Sequence, residues 1–110
     1  MPFIKNIVHS KVYKIAELTE YLSGQIVSKT LSQNSSHSLT LFAFDKDEEI
    51  SSHSSDGDAM IIALDGKGKI TIDGEVFTVV VGETVVMPAG KPHAVYASEQ
   101  FKMLLIVMFS

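Results

Sequence analysis

Apolar positions along this chain fall into short runs separated by polar junctions. Leu39 to Phe44, Ala59 to Leu64, Lys69 to Asp73, Glu75 to Val81, Thr84 to Met87, His93 to Ala97 and Phe101 to Phe109 each read as a strand, with Ile50 to Ser55 as a further extended segment. The junctions are Asp45-Lys-Asp-Glu-Glu49, Asp56-Gly57-Asp58, Asp65-Gly-Lys-Gly68 and Ser98-Glu-Gln100. Asp73-Gly74 is the strongest hairpin signal, because both residues tolerate the positive φ that a tight two-residue turn demands. Nearer the N-terminus, Gln25 to Leu31 predicts a strand and Ser32 to Ser38 a polar loop with a solvated His37. Before these, Val12 to Ile15 predicts a short strand. Ile15, Leu18 and Leu22 then recur at helical spacing, which predicts a turn of helix stopped by Gly24. Many short strands with Gly, Pro or Asp at their junctions predict an all-β sandwich or barrel.

One junction differs from the others. Gly82 to His93 reads Gly-Glu-Thr-Val-Val-Met-Pro-Ala-Gly-Lys-Pro-His and holds two of the three prolines and one of the four histidines. An apolar strand runs into a turn stiffened by Pro88 and Pro92, and the turn delivers His93 onto the next apolar run. Such a turn serves to aim a side chain.

Composition narrows the function classes. With 110 residues the chain is expected to form one domain with a single core, and 45% apolar with 20% charged residues is ordinary for a folded domain. The longest apolar run, Met103 to Phe109, is strand-sized, so no membrane span is expected. The N-terminus lacks the apolar core and cleavage site of a signal peptide, and there are no cysteines, so a cytoplasmic location is expected. All nine basic residues are lysines and the net charge is −4. Without the guanidinium fork, a phosphate or carboxylate clamp is disfavoured, and no basic stripe suits a nucleic acid.

From about Leu39 to Phe109 the chain resembles the cupins, small jelly-roll barrels also described as double-stranded β-helices. Their second motif is a glycine, five residues, Pro-x-Gly, two residues and a histidine, and Gly82, Pro88, Gly90 and His93 occupy those places. The Asn often found four residues beyond that histidine is Ala97 here. In their first motif, His53 and Gly66 match, but the second histidine falls on Ser55, the glutamate on Ala59 and the opening glycine on Asp47. The string His53 to Met60 is also similar to that of small single-domain bacterial cupins. The resemblance implies a cupin barrel over residues 25–110, preceded by an extension over residues 1–24 that contains a dimer-contact strand and a helical turn.

In metal-binding cupins the first-motif histidines and glutamate join the second-motif histidine around one divalent ion. Carried over, that set leaves His53 and His93 as ligands for zinc, nickel, manganese or iron. A catalytic site usually has three or more protein ligands, and neither a serine hydroxyl nor alanine makes up the number. Alternation then describes the interior. Ser55 shares a face with His53, Ile61 and Ala63 share one with Ala59, and Val95 and Ala97 share one with His93. These eight residues outline an expected pocket for a small, mostly apolar ligand. Phe42, Phe44 or Met103 reaching inward would instead fill it. Asp58 is expected on the opposite sheet face, and Asp56 inward only if its turn departs from the usual course. Met60, Ile62 and Leu64 leave the outer face too apolar for water, so the N-terminal segment or a second subunit is expected to cover it, and a homodimer is expected.

The expected function is therefore ligand binding near His53 and His93. The alternatives are a metal-dependent oxygenase or isomerase with a reduced two-histidine site, or a metal-free catalyst using the histidines as acid and base.

Overall fold

The computed structural model describes residues 3–110, and Met1 and Pro2 of the expected extension lie outside the described residues. Seven strands follow in order: β1 (Ile26–Gln33), β2 (His37–Phe44), β3 (Glu49–His53), β4 (Asp58–Ile72), β5 (Glu75–Val80), β6 (Thr84–Met87) and β7 (His93–Met108). All pairings are antiparallel, and the main path runs β1-β2-β7-β4-β5, with β3 on β7 and β6 on β4.

Two strands are much longer than their hydrophobic runs suggested. The first half of β4 pairs with β6 and its second half with β5, while β7 stays beside it throughout. Likewise β7 pairs with β3 through its first half and with β2 through its second. The molecule is thus an all-β jelly roll in which β4 and β7 bend and are shared by both halves of one seven-stranded sheet.

The bend explains why Asp65-Gly-Lys-Gly68 and Ser98-Glu-Gln100, expected to separate strands, do not. The β4–β7 register shifts between Ala63 and Asp65 and again between Gly66 and Gly68. Gly66 stands opposite Phe101 and Gly68 opposite Ala97, so Ser98 to Gln100 bulge out against Lys67 alone. The glycines are needed for contact as well as for curvature. A Cβ on Gly66, whose φ is +72°, would sit 1.6 Å from the Gln100 carbonyl oxygen, and one on Gly68 would sit 2.7 Å from the Phe101 ring. Glycine within a strand pattern here marks a close approach, not an end.

The core lies between the two halves of the folded sheet. Alternate residues of the long strands supply it: Ala59, Ile61, Ala63 and Ile70 from β4, and Val95, Ala97, Phe101 and Met103 from β7. Phe44 packs against Phe101 with ring centroids 6.0 Å apart and tilted by 40°. At the β4–β5 junction, Asp73 and Gly74 adopt φ of 48° and 85°, as a tight hairpin requires.

The region before β1 departs from expectation. Val12 to Ile15 forms no strand, and the expected helix over Ile15 to Leu22 is a single 3-10 turn, Ile15–Glu17. Eight residues are too few to repay helix nucleation. This arm lies across the outer sheet face instead. Lys5 N–H donates to the Leu31 carbonyl at 2.7 Å, Lys102 Nζ to the Ala16 carbonyl at 2.6 Å, and the Tyr21 hydroxyl to the Asp65 carboxylate. On that face Leu41 and Ala43 are fully buried, and Met60, Ile62 and Leu64 are half-buried.

The polar loop after β1 is also shorter than expected. Asn34 Oδ1 accepts from the backbone N–H groups of Ser36 and His37, and this tight turn lets both strands run on. His37 is therefore a strand residue, with its Nε2 2.9 Å from Ser32 Oγ.

Candidate functional site

The turn from Met87 to His93 is braced against the loop between β3 and β4. Gly90 N–H donates to the Ser55 carbonyl at 2.8 Å, and Ala89 N–H donates to Asp58 Oδ1 at 2.8 Å. Gly90 has φ of 78°, a conformation that costs a residue with a Cβ and costs glycine nothing. Asp58 thus has a positioning task at the turn and does not face the barrel interior.

β7 begins at His93, and there the residue lies between two neighbours, opposite His53 on β3 and opposite Ile72 on β4. A register irregularity between Ile50 and His53 brings His53 into that pairing. The two rings meet edge to face, with centroids 4.4 Å apart and an interplanar angle of 69°. His93 is 4% exposed, while His53 is open to solvent.

The same local geometry orients both rings. His53 Nδ1 donates to the Ser51 carbonyl at 3.0 Å, and His93 Nδ1 donates to the Lys91 carbonyl at 3.2 Å. A carbonyl oxygen can only accept, so each Nδ1 carries a proton, and in the neutral ring each Nε2 keeps its lone pair. Burial above all, and then the neighbouring His53, hold the His93 pKa below the ordinary imidazole value, although the Lys91 carbonyl opposes this.

Both rings border a cavity of about 450 Å³. Ser54, Ser55 and Asp56 form the rest of its polar edge. Its wall is apolar, with Phe42, Met87, Met103, Leu105 and Phe109 prominent. Of the eight residues expected at the pocket, His53, Ser55, Ala59, His93 and Val95 line this space. Ile61, Ala63 and Ala97 do not. They share the inward face but lie in the packed core, where alternation gives the face of a residue and not its depth. Phe42 and Met103 reach the cavity wall without filling it, and Phe44 packs in the core. The contributions of β2, β6 and the end of β7 come from residues remote in sequence, and only their apolar character signalled them.

The donor set does not fit the metal site of the metal-binding cupins. Among the described residues no group of three or more His, Cys, Asp or Glu side chains could surround an ion. Asp56 borders the cavity but does not join the imidazoles in such a group. Ser55 Oγ accepts from Gly57 N–H at 3.1 Å, and Ala59 brings only a methyl group.

Comparison with known proteins agrees with this architecture. The cupin domain model matches residues 40–109. A conserved protein of unknown function from Streptococcus pyogenes superposes with a TM-score of 0.98 at 46% identity, over 100% of this chain and 96% of that one. A cupin superfamily protein from Desulfitobacterium hafniense superposes with a TM-score of 0.93 at 30% identity, over 97% and 98% of the two chains. A cupin 2 conserved barrel domain protein from Leptotrichia buccalis gives 0.83 at 46% identity, over 84% of this chain and 45% of that one. No curated protein matches the chain. No helix among the described residues is long and apolar enough to cross a membrane. From the matched domain and the bent-strand barrel together, the chain belongs to the cupin family.

Proposed function

We propose that this cupin binds a compact, mostly apolar small molecule in the cavity bordered by His53 and His93. The observation that carries the reading is an apolar space of about 450 Å³ edged by two oriented imidazoles. A space of that size, mostly apolar with a few convergent polar groups, is the usual form of a small-ligand site. NMR titration with p-xylene and p-cresol tests it. Shifts with either that are confined to the cavity residues, and abolished by Ala59→Phe, support the reading; no shifts with either, or shifts elsewhere on the barrel, overturn it.

A second reading is favoured by the unequal surroundings of the two rings. A buried, neutral His93 beside an exposed His53 suits proton transfer on the bound molecule, one ring taking a proton and the other exchanging it with solvent. No metal takes part in either reading.

The unit that does this is proposed to be a homodimer. The arm before β1 leaves Phe3 92%, Val8 65% and Val12 95% exposed. A second copy would cover these side chains together with the half-buried outer face they adjoin.

A further inference from the structure

We propose that the cavity selects an uncharged molecule whose apolar body carries one O–H donor, of the phenol or enol class, and that one of the two histidine Nε2 atoms accepts from it. The inference rests on the ligand-binding reading above and adds the chemistry of the head group.

The argument is an inventory of what the cavity edge offers. Both Nδ1 atoms are committed to backbone carbonyls, so what the neutral rings present is lone pairs. Among the described residues neither Nε2 has a protein hydrogen-bond partner. The Asp56 carboxylate adds further acceptor capacity, and the Ser54 and Ser55 hydroxyls add two O–H groups, Ser55 Oγ also accepting from Gly57 N–H. No lysine lines the cavity, and the chain has no arginine. A carboxylate or phosphate would therefore meet two hydroxyls but also the Asp56 carboxylate and two imidazole lone pairs, with no lysine or arginine to offset the like charge. A plain hydrocarbon would suit the wall of Phe42, Leu105 and Phe109 but would strip water from the imidazole lone pairs without replacing it. A hydroxyl on an apolar ring meets both requirements. The ring occupies the wall, and the O–H donates to an imidazole nitrogen at the edge.

Three probes of one shape separate these cases: p-cresol, p-xylene and p-toluate. They are titrated into the full chain at neutral pH and followed by backbone shifts and by the histidine ring ¹⁵N resonances. The expected result is p-cresol binding at least about tenfold more tightly than p-xylene, p-toluate weakest, and one Nε2 resonance moving with p-cresol more than with p-xylene. Of His53→Ala at the exposed ring and His93→Phe where circular dichroism shows it folded, the variant that removes that acceptor should reduce the preference for p-cresol over p-xylene. Equal binding of p-cresol and p-xylene, or p-toluate the tightest, overturns the head-group assignment and leaves the apolar cavity standing. If none of the three binds, both readings fall.

Discussion

His53 and His93 are cross-strand partners whose rings meet edge to face, and each ring is turned by a hydrogen bond to the carbonyl two residues before it. One ring is buried and the other open to solvent. The two rings therefore differ in their access to solvent and are not equivalent groups.

The buried member makes stability depend on pH. In the unfolded chain His93 takes up a proton as pH falls past 6.5, while the folded ring resists until a lower value. The unfolded state then binds more protons, so the His93 contribution is complete above 6.5 and declines as pH falls from there to the depressed folded pKa. Urea midpoints of the wild type and His93→Gln, measured on either side of 6.5, should draw together on the acid side. A difference that stays constant or widens on acidification would contradict this.

Gly66 and Gly90 both have left-handed φ, but only Gly66 is crowded. A Cβ at Gly90 meets nothing within 4 Å, whereas at Gly66 it meets the Gln100 carbonyl at 1.6 Å. Gly90→Ala should cost about 1–2 kcal/mol from backbone conformation alone. Gly66→Ala adds overpacking and should cost about 3 kcal/mol or more. Equal losses in denaturant titrations would mean that the bend in β4 is not a point of close contact.

Restoring the missing donors should build the site that is incomplete here. Ser55→His with Ala59→Glu places an imidazole and a carboxylate at the cavity beside His53 and His93. Without metal, the buried carboxylate should lower the melting temperature. Nickel or manganese at about a hundredfold over Kd should return about 2.7 kcal/mol. The unaltered, tag-free protein should contain less than stoichiometric metal by elemental analysis. Stoichiometric metal that His93→Ala removes would reinstate the metal-dependent enzyme.

The exposed apolar arm predicts association. Sedimentation at micromolar concentration should give twice the chain mass, and Phe3→Ser with Val12→Ser should shift the species to monomer without loss of fold. Monomer in the unaltered protein would count against a second copy as the cover.

Much of this architecture is legible in the chain because strand alternation and turn chemistry are local. The Asp73-Gly74 hairpin, the proline turn and the arrival of His93 at a strand start all follow from residues adjacent in sequence. Other features are not local. Asp65-Gly-Lys-Gly68 has the composition of a turn, and only contact with Gln100 and Phe101 makes it a bend within β4. The cavity was legible on one side only. His53, Ser55 and Ala59 are neighbours of a recognisable motif, whereas Phe42, Leu105 and Phe109 join them through pairings between distant strands. Asp58 shows the converse, a residue placed on the far face whose carboxylate holds the turn that aims His93.

β4 and β7 are paired on both sides along most of their length, whereas β1, β3, β5 and β6 each have a single partner strand. The strands that carry His53 and Met87 to the cavity are thus edge strands, and the wall that joins them is the β4–β7 pair. Among the residues lining the cavity, His53, Ser54 and Asp56 are the exposed ones, so a molecule arriving from solvent would meet that polar edge first.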